Sequence, residues 1–172
     1  MNIKINAFDS ASINAAIAEL KKYSKSLKGK AKALTEQLAD RGVEMAQSDF
    51  NSAPYDGARD VTVTKTEMAT GHRVTATGET ALFIEFGAGV HYPDSHPEAG
   101  RFGMIHGTYG QGKGKNDYWF YTGQPDNAGG VLVNGRSNTT ITHGNPPSMT
   151  MYNTEKDLVE QIGEVAKEIF DD

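Results

Sequence analysis

Apolar residues recur every three or four positions near the start of the chain, the spacing of one face of an α-helix. They follow the helix-capping residue types Asp9 and Ser10 and comprise Ile13, Ile17, Leu20, Tyr23 and Leu27. Glycine weakens a helix interior, so the first helix should end near Gly29. The same spacing resumes at residue 34 and continues to residue 50, before Pro54. The sequence therefore predicts two consecutive helices within residues 10–52.

The hydrophobic period changes to two after Pro54. Residues 60–78, DVTVTKTEMATGHRVTATG, alternate valine with threonine and break near Thr70 and Gly71, which predicts a β-hairpin with one solvent-facing side. The next run, ALFIEFGAGV at residues 81–90, is apolar except for one carboxylate. Read as a strand, it places Phe83 and Glu85 on one face and Leu82, Ile84 and Phe86 on the other.

Residues 91–130 are rich in glycine, with prolines near the start and an aromatic piece at residues 118–121. We expect a long glycine-rich loop insertion with one strand in it. Loops of this length are uncommon in a domain unless they bind something or pack against a neighbouring chain. After it, residues 131–133 and 139–142 predict a second hairpin around Asn134 and Gly135.

The chain ends in a predicted helix over residues 149–170. One face carries Leu158, Ile162, Val165 and Ile169, and Thr154 with Asp157 resembles a capping box at its start. The 172 residues suffice for one domain. We therefore expect a single α+β domain over residues 1–172, with helices packed on a mainly antiparallel sheet over residues 60–142.

Composition narrows the functional classes. The chain has no cysteine, which excludes disulfides and thiolate metal sites. The start lacks a leader pattern and no long apolar run follows, so we expect a soluble protein without a membrane partner. The net charge of −5 argues against nonspecific nucleic-acid binding over the whole surface. The charge is uneven, however: six lysines lie within residues 21–32, and seven acidic residues lie between residue 155 and the end.

Three candidate chemistries have weak support. GTYGQGKG, residues 107–114, has the spacing of a phosphate-binding loop, but Gly114 replaces the Ser or Thr that holds magnesium, and no helix is predicted to follow. Glu85 on an apolar strand could act as a general acid or base, but no nucleophile or second carboxylate accompanies it at a telling spacing. The aromatic residues 118–121 could stack on a sugar or base, as in a monomeric ligand-binding module.

A small metal-dependent hydrolase is the alternative from a different functional class. Imidazole and carboxylate groups suit zinc, manganese or iron, and the chain offers a loop with His91, Asp94, His96 and His106. Their spacing matches no helical zinc motif. We expect no enzymatic activity, no cofactor and no resident metal.

The order of these segments resembles the HK97 gp10-like family of tailed-phage proteins. The resemblance rests on the pattern from Ala81 to Gly87 with Gly89 behind it, and on Gly144, Pro146, Pro147 and Met149 ahead of the last helix. It covers most of the chain outside residues 91–130. Family members often have a shorter connection between the glutamate segment and the proline turn. The insertion at residues 91–130 therefore departs from the family pattern.

The resemblance implies a structural virion component of the head–tail junction, assembled in the host cytoplasm. Such a neck or tail-completion protein would form a homo-oligomeric, sixfold ring joining the head connector or adaptor to tail-tube or tail-terminator proteins. DNA would pass through its lumen without sequence-specific binding. Tail terminator and head-closure adaptor are alternatives within the same junction.

The resemblance also suggests interface residues. Glu85 would pair with a basic or N–H group of the next subunit, although it could equally be the solvent-facing side of an edge strand. Gly87 and Gly89 would allow close backbone approach or supply a positive φ. Lys25, Lys28 and Lys30 would face acidic residues of a neighbour or DNA phosphates. The remaining predicted contacts are Phe86, Trp119, Tyr121, Pro146, Pro147 and Met149.

Overall fold

One continuous helix, α1, runs from Ser10 to Ser52. The structure is a computed structural model that describes residues 5–6, 8–89, 95–109, 116–125, 127–135 and 138–171. The Asp9 side chain caps α1 by accepting a hydrogen bond from the Ala11 N–H at 2.9 Å. The prediction of two helices was wrong. Glycine inside a helix costs only about 1 kcal/mol relative to alanine, and this cost at Gly29 does not interrupt the helical hydrogen bonds.

The predicted first hairpin is confirmed. Strands β1 (Thr62–Met68) and β2 (Gly71–Thr77) pair antiparallel, with Val63 opposite Ala76. The hairpin lies against the C-terminal half of α1, and the Gln47 side chain joins the two by accepting from the Val63 N–H at 2.9 Å and donating to the Val61 carbonyl at 3.1 Å. The buried core forms here, from Ala46, Phe50, Ala53, Val61, Val63 and Ile84.

The segment predicted as a strand with a central glutamate is instead a short helix, α2 (Ala81–Phe86). An apolar run this short fits a buried helix as well as a strand, because periodicity alone does not separate them. Asp60 favours the helix by binding the backbone at its start. Its carboxylate accepts from the N–H groups of Glu79 at 2.6 Å and Thr80 at 3.0 Å, directly before the first turn of α2.

The insertion contains a short helix, α3 (Ala99–Phe102), which the sequence did not predict, and the expected aromatic strand, β3 (Trp119–Thr122). The second predicted hairpin is confirmed as β4 (Val131–Leu132) and β5 (Thr139–Thr142). β3 and β4 lie on either side of β5, and each pairs with it in an antiparallel arrangement. This sheet is separate from the sheet of β1 and β2. The α+β class is therefore confirmed, with two small antiparallel sheets where one was expected.

The last helix, α4 (Thr150–Phe170), packs antiparallel to α1. Arg41 donates to the Gln161 side chain at 3.1 Å, and the Lys30 ammonium donates to the Phe170 carbonyl at 3.3 Å. The predicted capping box was wrong, since Thr154 lies inside the helix and is buried. Across the described part of the chain, no helix combines the length and apolar character needed to cross a membrane.

Candidate functional site

The carboxylate of Glu85 lies at the N-terminus of α4. Its Oε2 accepts from the Met151 N–H at 2.7 Å, and its Oε1 accepts from the Tyr152 N–H at 3.1 Å. These N–H groups lack partners within the helix, and the helix dipole favours an anion there. The side chain of the N-cap residue, Met149, makes no capping hydrogen bond. Glu85 on α2 therefore caps α4 from a distant part of the sequence.

His96 completes this hydrogen-bond network. Its Nδ1 accepts from the Glu98 N–H at 3.0 Å, so the ring proton of the neutral tautomer lies on Nε2, which donates to Glu85 Oε1 at 3.2 Å. The imidazole is buried, with its centroid 4.4 Å from that of Phe86 and 5.5 Å from that of Tyr152. Both ring nitrogens are engaged, which leaves neither for a metal ion.

The segment before α4 also satisfies the free carbonyls of α2, through one side chain and its backbone N–H groups. The Asn145 side chain donates to the Phe83 carbonyl at 3.0 Å, and the Ser148 N–H donates to the Ile84 carbonyl at 2.9 Å. Ala88 and Asn145 exchange two backbone hydrogen bonds in an isolated antiparallel bridge. We call this assembly the junction; it comprises residues 83–89, His96 and residues 143–152.

Two glycines make the junction possible. Gly87 and Gly89 have φ values of +84° and +99°, which other residues adopt at a cost. A Cβ at Gly87 would lie 2.9 Å from the Pro147 nitrogen, and one at Gly89 would overlap the His143 carbonyl oxygen. The expectation of close backbone approach with positive φ is confirmed, and the approach is made by a later segment of the same chain.

The structure brings most of the predicted interface residues together in the junction: Glu85, Phe86, Gly87, Gly89, Pro146, Pro147 and Met149. Glu85 and Phe86 are buried in their own chain. The alternative that Glu85 faces solvent on an edge strand was therefore wrong. The expected pairing with the next subunit is also corrected, since both carboxylate oxygens accept from N–H groups of their own chain. Trp119 and Tyr121 lie elsewhere, on β3.

The metal-site residues divide between described and undescribed parts of the chain. His91 and Asp94 lie outside the described residues, as do residues 110–114 of the phosphate-loop pattern. Within the ranges that the structure describes, no group of three or more histidine and carboxylate side chains could hold a metal ion. His96 and His106 are described, and His96 binds Glu85 as detailed above.

A second feature is the projecting start of α1, residues 10–29, which we call the arm. The antiparallel partner α4 ends where Phe170 contacts Lys30, so the arm extends beyond it by about 30 Å. Ala16, near the start of the arm, is buried, and every residue from 17 to 29 is exposed. Lys25 and Lys28 lie on the arm, and Lys30 lies at its base. The arm carries an apolar stripe of exposed side chains: Ile13, Ile17, Leu20, Tyr23 and Leu27.

A third feature is a groove of about 740 Å³ beside the junction. β2, α2, α3 and α4 form its walls. Its lining includes the exposed apolar side chains of Leu82, Phe102 and Val159, above the buried Phe86. Glu155 and Glu160 of α4 also line it, as do Lys156 and Arg101. The groove therefore combines an apolar floor with charged edges.

The sequence predicted that the N-terminal helices pack on the sheet, and it did not indicate the groove. One signal was available. On α4, Tyr152 and Val159 add apolar positions outside the face that contains Leu158 and Val165, so the helix has more apolar surface than one contact with α1 covers. Nothing in the sequence indicates that His96 meets Glu85, so the only role it predicts for His96 is that of a metal ligand.

Comparison of the chain with models of known protein families, with curated proteins and with solved structures finds no match in any of the three. The resemblance to HK97 gp10-like proteins therefore rests on the sequence motifs alone.

Proposed function

We propose that this protein is a ring-forming structural subunit of the head–tail junction of a tailed phage, acting as a neck or tail-completion protein. The observation that carries the proposal is the arm, which presents an apolar stripe to solvent on a helix twice as long as its packing partner, at 43 against 21 residues. Its mechanism is assembly, and it requires no catalytic group or cofactor.

The arm favours self-association on physical grounds. Contiguous exposed apolar surface typically marks an interaction site. Full burial of one large aliphatic or aromatic side chain contributes about 1.5–3 kcal/mol. The five stripe residues are 38–52% exposed, so covering them contributes about half that amount each, which opposes the entropic cost of association. A head-to-tail contact between unlike surfaces produces a closed ring when its rotation closes. A sixfold ring would give a conduit between head and tail.

The contact between α2 and the start of α4, named the junction above, supports the proposal in a different way. The residues on which the family resemblance rests form one tertiary arrangement that connects α2 to the start of α4. One tertiary contact therefore explains the spacing of these motif residues. Such a contact is expected if the chain shares the fold of the family that it resembles. The partners in this proposal are the head connector or adaptor, the tail-tube or tail-terminator proteins, and DNA in transit. The net charge of −5 suits a channel that releases DNA rapidly.

Two measurements test the proposed function. Light scattering with size separation of the purified protein should give, at high concentration, the mass of six 18.6 kDa chains, and negative-stain microscopy should show rings. In a phage with an early stop codon in this gene, filled heads and finished but separate tails would establish completion. Emptied heads would indicate head closure instead, and overlong tails would indicate tail termination. Normal infectious particles would overturn the proposal.

A further inference from the structure

We propose that the arm of one subunit occupies the groove of the next. This inference rests on the proposed ring, and it identifies the surfaces that hold the ring together. The arm supplies a helix with an exposed apolar stripe, and the groove supplies exposed apolar side chains on a concave surface. The occupant of the groove is thus a defined segment, residues 17–27, of a second copy of this chain.

The dimensions of the two surfaces match. Along α4, the groove extends from Met151 to Glu160, which is about 14 Å at the rise of an α-helix. The stripe from Ile17 to Leu27 spans about 15 Å by the same measure. Side chains spaced three and four residues apart on the arm can therefore contact the apolar lining over its full length, in the manner of a helix in a groove.

The charges at the edges are complementary. At 100° per residue, Lys21 and Lys28 lie along one edge of the apolar stripe, and Lys22 lies on the opposite face of the arm. The groove presents Glu155 and Glu160, for which the described residues provide no ion-pair partner. Arg101 binds Glu98 at 3.0 Å, so these two charges cancel, and Lys156 can offset only one of Glu155 and Glu160. The net charge at the edges of the groove is therefore negative, opposite to that of the arm.

An arm cannot reach the groove of its own subunit. Leu20 lies about 15 Å beyond the end of α4, and Val159 lies about 16 Å back from that end, both by helical rise. The contact must therefore join different copies. Because the arm and the groove are different surfaces, the contact is heterologous and propagates around a ring.

Disulfide cross-linking tests this contact directly, because the chain has no native cysteine. A Leu20→Cys, Val159→Cys double variant should form intersubunit disulfides on mild oxidation and give a ladder of covalent oligomers up to the size of the ring. An intramolecular bond is excluded, since the Cα atoms of a disulfide lie within about 7 Å. Each single variant can give no species larger than a dimer. Ala18, exposed on the opposite face of the arm, provides the matched control: Ala18→Cys with Val159→Cys should cross-link at least tenfold less.

The outcomes separate this inference from the proposed function. Rings by light scattering together with the Leu20–Val159 ladder would support both. Rings without the ladder, or with equal cross-linking through Ala18, would overturn the arm-in-groove contact and leave the ring. A monomer at every concentration would overturn both.

Charge and polarity variants give an independent measurement in the same protein. Leu20→Asp should raise the dissociation constant of the ring at least tenfold, whereas Ala18→Asp should leave it unchanged. Glu155→Arg should weaken assembly more than Glu164→Arg, which changes an exposed position on the opposite face of α4. Equal effects within either pair would contradict the proposed contact.

Discussion

Nε2 of His96 donates a hydrogen bond to Glu85 Oε1 across 3.2 Å, and the same carboxylate accepts two N–H groups from the first turn of α4. One buried side chain thus holds together α2, the segment before α3, and the last helix. Hydrogen bonds in a low-dielectric interior are strong, and a buried polar group that loses its partner lowers the stability of the folded protein. The stability of the junction should therefore depend strongly on Glu85.

Replacing Glu85 by Gln should destabilise the protein by about 2 kcal/mol, within the range expected when a buried hydrogen bond to a charged group is lost. The amide has one acceptor oxygen where the carboxylate has two, so the N–H groups of Met151 and Tyr152 cannot both keep their present partners. Urea unfolding followed by circular dichroism measures the change. Glu79→Gln, at an exposed position nearby, is the control and should stay within about 0.5 kcal/mol of wild type. Equal effects of the two substitutions would mean that Glu85 does not cap α4.

Asp60 should contribute stability in a pH-dependent manner. The hydrogen bond from the Thr80 hydroxyl, with those from the Thr80 and Glu79 N–H groups, holds the pKa of Asp60 below its ordinary value of 3.8. A lowered folded-state pKa gives stability that is present above pH 3.8 and is lost as the pH falls through the folded value. The stability difference between wild type and Asp60→Asn should therefore be constant from pH 7 to pH 5 and shrink below pH 3.8.

The measurement for Asp60 is a series of urea unfolding curves between pH 2.5 and pH 7. The control is Asp157→Asn, an exposed carboxylate on α4 with no hydrogen-bond partner among the described residues. Its stability difference from wild type should be smaller at neutral pH. A difference for Asp60→Asn that persists unchanged to pH 2.5 would show that its charge does not stabilise the start of α2.

The regular elements were predictable where local chemistry determines them. The hairpin from Thr62 to Thr77 followed from alternation, and the helix ending at Phe170 followed from its apolar spacing. The helix α2 was not predictable, because its start depends on Asp60, which lies in another segment. Its end depends on carbonyl partners supplied by residues 145–149. Such tertiary hydrogen bonds leave no periodic signal.

The sequence indicated several residues of the candidate site but not the contacts between them. The motifs selected Glu85, Gly87 and Gly89 as contacts to a neighbouring subunit, whereas the structure shows all three in close contacts within their own chain. Their common contact, the segment before α4, lies far away in sequence and could not be inferred from spacing. The arm illustrates the opposite case: its apolar stripe was read correctly as helical, but periodicity does not show which surface covers a helix face.

Two glycines in α1 should respond differently to alanine. Alanine is favoured over glycine inside a helix by about 0.5–1 kcal/mol. At Gly29 the added Cβ meets open space, so Gly29→Ala should stabilise the helix by about that amount. At Gly42 the added Cβ would lie 3.0 Å from Leu158 Cδ1, which must move. Gly42→Ala should therefore gain less than Gly29→Ala, or lose stability, in thermal unfolding. An equal gain at both sites would show that α1 and α4 are not closely packed at Gly42.

Gly89→Ala should destabilise the protein by more than about 2 kcal/mol, because a positive φ and a backbone clash combine there. Gly129→Ala separates the two causes. Its φ of +91° is close to the +99° of Gly89, but no atom lies within 4 Å of the added Cβ. It should cost about 1 kcal/mol, the expense of the backbone conformation alone. Similar losses in urea unfolding would mean that the approach of residue 89 to His143 is not close.

Amide hydrogen exchange should distinguish the arm from the rest of α1. Isolated helices of this length are marginal in water, and no residue from 17 to 29 is covered by the rest of the chain. In dilute, monomeric protein, these amides should exchange about 100-fold faster than those of residues 39–50, which pack on the core. Raising the concentration into the range of assembly should slow exchange in the arm and leave residues 39–50 unchanged. Slow exchange in the arm at every concentration would show that its own subunit covers the stripe, and the arm would then not be available to a neighbour.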